Sequence, residues 1–165
     1  MEENPVKENN LTYITNEKNK TNELIKQGNF EEAEKGYKEI INFINNLKKE
    51  ELTDDILNQK KLILSNLSHT LTKLNRIKEA KKFDIEIIRN LDKKFSKSYA
   101  RLINAYLEEK NVACARYHYS LMKEYCSKED IQKFPEVINK IDHEIQEKDQ
   151  FIQGIEAMKQ IFLNK

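Results

Sequence analysis

The stretch GNFEEAEKGY, residues 28–37, has two echoes further along the chain, LNRIKEAKKF at residues 74–83 and EKNVACARYH at residues 109–118. Each sets an alanine in the same local context: Ala33, Ala80 and Ala115. Ala33 and Ala80 stand 47 residues apart, Ala80 and Ala115 stand 35 apart. An interval near 34 residues is the period of stacked helix–turn–helix units, in which a small residue lets the two helices of a unit approach closely. The longer interval is that period plus about 13 residues. A longer second helix in the first unit and a longer first helix in the second, meeting around LKKEELTDD, account for the excess. Thr53 is the expected N-cap there, with Asp54 and Asp55 in the first turn.

Composition agrees with helices throughout. Three glycines and two prolines in 165 residues, abundant Lys, Glu, Leu and Ile, and no alternating apolar pattern predict an all-α chain. The expected helix pairs are 11–27 with 30–48, 54–74 with 77–91, and 96–109 with 112–126. A last helix near 135–163 begins with Pro135 at its first position. Its residues Val137, Ile138, Ile141, Ile145, Ile152, Ile155 and Phe162 keep mostly one face, which suits a helix capping the end of a stack. Residues 1–10 read as a disordered polar arm, 11–127 as a three-repeat domain and 128–165 as a capping extension.

The 29 Lys and Arg are matched by 28 Asp and Glu with the signs interspersed, so bulk charge argues against nucleic acid as a partner. No apolar run approaches the roughly 18 residues of a membrane span, and no hydrophobic stretch lies near Met1, so a cytoplasmic protein without a membrane partner is expected. Cys114 and Cys126 read as reduced helix residues. Three matches to the glycosylation acceptor pattern, at Asn10, Asn19 and Asn66, carry no weight without a secretory signal. Cys114 and His118 have the i, i+4 spacing of two metal ligands, but a site needs three or four, so no metal and no cofactor are expected. There is no Ser/His/Asp set, Gly-rich phosphate loop or paired buried carboxylate, and the chain is not expected to be an enzyme.

The first helices of stacked repeats line one surface, so residues at matching repeat positions face it together. Counted from the marker alanines, Asn66 and Arg101 each stand fourteen residues before theirs, with Lys97 one turn before Arg101. Lys18 and Asn22 precede Ala33 by fifteen and eleven residues. No acid lies within a turn of Lys97 or Arg101 in the sequence.

In these residues the chain resembles the three-repeat carboxylate-clamp tetratricopeptide domains, whose clamps run Lys-x-x-x-Asn, Asn and Lys-x-x-x-Arg over three repeats. KNKTNELIKQGNFEEA, SNLSHTLTKLNRIKEA and KSYARLINAYLEEKNVACA fill all five positions with Lys18, Asn22, Asn66, Lys97 and Arg101. The likeness covers residues 11–127, and the long spacer and final helix are similar to the repeat domains of immunophilin co-chaperones, without their prolyl-isomerase domain.

The resemblance implies a right-handed α-solenoid that docks the C-terminal tail, Glu-Glu-Val-Asp, of heat-shock protein 90 or heat-shock protein 70. Lys18, Asn22 and Asn66 would hold the terminal carboxylate, Lys97 the Asp side chain, and Arg101 a group further along the peptide. Both clamp cations of the third repeat are expected to be exposed. Two departures stand out: Thr21 where the family usually carries Gly, and His69 in place of a small residue. His69 and Lys73 are expected secondary contacts for the peptide. Beyond the cap, residues 148–165 offer a second surface for a partner or for self-association, through Phe151, Ile152, Ile155, Met158, Ile161 and Phe162.

Overall fold

A computed structural model of the chain describes residues 5–163, with side chains described for residues 9–160. Among these residues the chain is all-α, with eight α-helices and no strand. They are α1 (Pro5–Lys26), α2 (Phe30–Asn45), α3 (Asp54–Lys73), α4 (Ile77–Glu86), α5 (Ser96–Glu108), α6 (Val112–Tyr125), the single turn α7 (Lys128–Ile131) and α8 (Pro135–Leu163). A 3₁₀ turn, Lys49–Glu51, precedes α3, and α4 widens into a π turn at Ile87–Leu91.

The three alanine stretches fold alike. A left-handed residue stands five positions before each alanine: Gly28 at φ 79°, Asn75 at φ 59° and Lys110 at φ 57°. The next amide in each case, Asn29, Arg76 and Asn111, donates back to Leu24, Leu71 and Tyr106, closing the helix in a Schellman turn. The second helix then starts at once, and Ala33, Ala80 and Ala115 are each buried. Glycine suits the first of these turns because it has no Cβ to oppose a positive φ.

The residue four places after each alanine is polar and reaches out of its own helix. Tyr37 on α2 bonds Asn22 on α1. Asp84 on α4, 2% exposed, accepts from Ser68 Oγ on α3 at 2.5 Å and from Ser98 Oγ on α5 at 2.7 Å. Burial, and after it the nearby Asp142 carboxylate on α8, raises the phenol of Tyr119 on α6 above its ordinary value. The same register thus turns a polar side chain toward a neighbouring helix in all three repeats.

The expected lengthening around LKKEELTDD is half right. Thr53 caps α3, its Oγ1 accepting from the Ile56 amide at 3.3 Å, and α3 runs 20 residues against 13 for α5. However, α2 stops at Asn45, three residues before the expected end. The chain turns there because the Lys48 amide is taken by the Glu51 carboxylate at 2.9 Å, which closes the 3₁₀ turn. The polar arm is also corrected: α1 begins at Pro5, a residue pre-set for a first helical position, so residues 5–10 are helical. Asn10 ties that segment to the 3₁₀ turn through Glu51 at 3.2 Å. Residues 1–4 of the expected arm lie outside the described residues.

Two compact units divide the chain, one ending at Ser98 and the other starting at Tyr99, rather than at residue 127. In the first, α1 to α4 close one core around Ile14, Ile40, Ile44, Ile56, Ile63, Leu67 and Leu71, all at most 3% exposed. In the second, α6 packs on α8, and Val112, Ala115, Met122 and Ile141 are buried. The apolar stripe of α8 holds only in its first half: Ile141 is buried, whereas Ile152 and Ile155 are exposed, as are Phe151 and Met158. Side chains of Ile161 and Phe162 lie outside the described part.

Candidate functional site

Helix α1 presents Lys18 and Asn22 one turn apart, and α3 presents Asn66. Side chains of the two asparagines meet across 44 residues of sequence: Asn66 Nδ2 donates to Asn22 Oδ1 at 3.0 Å. The Tyr37 hydroxyl donates to that same oxygen at 2.6 Å. Burial raises the Tyr37 phenol above its ordinary value, with Asn66 partly opposing, so at neutral pH the group is a donor. With Oδ1 engaged twice, the amide NH₂ of Asn22 is the part left to donate outward, and among the described residues it has no acceptor.

Lys18 is half-buried, and its ammonium donates to Gln59 Oε1 on α3 at 2.6 Å. No ion pair of Lys18 occurs among the described residues. Lys18, Asn22 and Asn66 are thereby linked into one face of α1 and α3, with two amide partners and an unneutralised cation.

Lys97 and Arg101 stand one turn apart on α5, as their spacing requires. Lys97 is exposed. Arg101 departs from the expectation of an exposed cation: it is half-buried, and its Nη1 is out of contact with solvent. The helix around it explains why, since Tyr99, Ala100, Leu102 and Ile103 are all at most 4% exposed. His69 and Lys73 both lie exposed on α3.

Thr21, the departure beside Asn22, is buried at 5% exposure, and its hydroxyl donates to the Glu17 carbonyl at 2.8 Å. His118, which stands four residues after Cys114, is a packed residue. Its ring stacks on Tyr106 with centroids 5.1 Å apart, and Nδ1 lies 2.8 Å from the Cys114 carbonyl. Elsewhere, a cleft of about 470 Å³ lined by Asn104, Glu108, Lys140 and His143 runs between α5 and α8. His143, Glu144 and Glu147 share one solvated stretch of α8 beside it, their ligand atoms within 4.8 Å.

Two residues of the α1–α3 face were not among the expected ones. Tyr37 was findable, since it stands four after Ala33 just as Tyr119 stands four after Ala115. Gln59 had no such signal, because it lies in the part of α3 that exceeds the first helix of the third repeat. No family model matches the chain, and no curated protein matches it.

Proposed function

We propose that the chain is a peptide-binding adaptor that takes an acidic chain end bearing a free carboxylate, the tail of heat-shock protein 90 or heat-shock protein 70 being the partner its residues suit. One observation carries this reading: Asn22 and Asn66 are bonded amide to amide, with an outward-donating NH₂, beside a half-buried Lys18 that no carboxylate neutralises. A carboxylate needs such a set, a cation for the charge and amide hydrogens for the lone pairs. Lys97 supplies the further cation for the side chain of the doubly acidic terminal Asp, and Arg101 one for a group further along the peptide. Charge-assisted hydrogen bonds contribute about 1.5–3 kcal/mol each, so four or five such contacts reach the roughly 8 kcal/mol of micromolar binding after ordering costs.

Calorimetric titration with a peptide ending Glu-Glu-Val-Asp tests it. The free acid binds, weakening as salt rises, and amidation of its terminus abolishes binding. Equal affinity for both forms overturns the clamp.

A second reading is favoured by the distal half of α8, where Phe151 is 70% and Met158 63% exposed. That helix end would bind a protein partner or a second copy. Removing residues 148–165 and comparing sedimentation with the full chain tests it, an unchanged monomer counting against self-association.

A further inference from the structure

Two half-buried lysines on α3 each keep a carboxylate within 4 Å. Lys61 pairs with Asp92 at 2.8 Å, and its neighbour Lys60, although it donates to the Asn45 amide oxygen at 2.8 Å, keeps the Glu86 carboxylate 3.7 Å away. Lys18 is also half-buried, but the group that meets it is an amide, the oxygen of Gln59. A glutamate would fill the same space and bond the ammonium more strongly, so the choice of amide gives up attraction at this point.

What the amide preserves is charge. An ammonium has three donors, and Gln59 occupies one, leaving two hydrogens and a full positive charge. The bond also joins α1 to α3 across 41 residues of sequence, restraining a side chain that otherwise samples many rotamers. Gln59 precedes Asn66 by seven residues, two turns, which places both on one face of α3. Lys18, Asn22, Gln59 and Asn66 therefore form a continuous polar patch in which no member is an acid.

We propose that Gln59 is a positioning residue for anion capture: it orients the Lys18 ammonium toward an incoming carboxylate while leaving that ammonium uncompensated. This rests on the peptide-binding reading above and adds a residue whose neutrality sets the affinity of the site. Replacing one NH₂ by O⁻ at position 59 turns the orienting partner into a competitor that occupies Lys18 and repels the ligand.

The test compares wild type with Gln59→Glu and Gln59→Met in the full chain, by calorimetry with a free-acid peptide ending Val-Asp and by thermal unfolding. Gln59→Glu loses about tenfold or more in affinity. Its melting temperature is unchanged or higher, because Lys18 has gained an ion pair. Gln59→Met keeps the charge of Lys18 but loses its orientation, and binds about threefold more weakly. Affinity and stability moving in opposite directions in Gln59→Glu is a result that a purely structural role cannot give. Wild-type affinity in Gln59→Glu, in a protein whose wild type does bind the free acid, overturns this role and leaves the clamp standing. A wild type that binds free and amidated peptide alike removes the clamp, and this role with it.

Discussion

A Cβ built on Gly36 would stand 2.7 Å from Thr21 Oγ1 and 3.0 Å from Thr21 Cγ2, so these two residues divide one space between α1 and α2. Thr21 cannot readily turn aside, being buried and hydrogen-bonded to the Glu17 carbonyl. The larger residue at 21 is accommodated by the absence of a side chain at 36. Gly36→Ala is therefore expected to destabilise by about 1–2 kcal/mol, overpacking outweighing the helix propensity gained. In a Thr21→Ala background the same change should stabilise by up to about 1 kcal/mol. Denaturant unfolding of the four proteins of this cycle reads the sign reversal, and additive effects would mean the two side chains do not compete.

Glu34 lies under Arg76 and Lys38, each 2.5 Å from one of its carboxylate oxygens, while Arg76 also holds Glu79 through two bonds of 2.7 Å. Burial alone would raise the Glu34 pKa, but the hydrogen bonds from Lys38 and Arg76 outweigh it and hold the carboxyl below its ordinary 4.5. A depressed carboxyl stabilises the fold above the unfolded value and loses that contribution as pH falls through the folded one. Stability measured by denaturation should thus be level above about pH 5.5 and decline below pH 4.5. Glu34→Gln should cost about 1–2 kcal/mol at pH 7 and show a shallower acid decline.

Asp84 is the acceptor for two hydroxyls that are themselves 0% exposed, those of Ser68 and Ser98. Asp84→Ala withdraws that acceptor from both and leaves a void, an expected loss of about 2–4 kcal/mol. Ser98→Ala, which removes one donor, should lose about 1 kcal/mol. Equal losses from the two variants would show that Asp84 does not join α3 to the first turn of α5.

The two α5 cations should behave differently, since Lys97 is exposed and Arg101 half-buried. Lys97→Ala is expected to weaken peptide binding about tenfold while the melting temperature stays put. Arg101→Ala should lower both affinity and melting temperature, because the side chain is half-buried with its Nη1 withdrawn from solvent. Calorimetry paired with thermal unfolding separates the two, and an affinity unaffected by Lys97→Ala counts against its role.

Local signals in the chain determined the helices and the repeat register. Scarce Gly and Pro, the Thr53 cap and the alanine spacing are properties of neighbouring residues, and they reappear as seven helices near their expected bounds and three matching turns. Side-chain chemistry at fixed register was equally legible, which is why Lys18 and Asn22, or Lys97 and Arg101, could be set a turn apart on one helix. Contacts between residues far apart in the chain were not. The Asn22–Asn66 bond, the Gln59 partner of Lys18, the fit of Thr21 against Gly36 and the half-burial of Arg101 arise only when helices pack. Periodicity tells which face of a helix turns inward, while the residue it meets there depends on the distance and rotation between two helices, and those are set by the whole core.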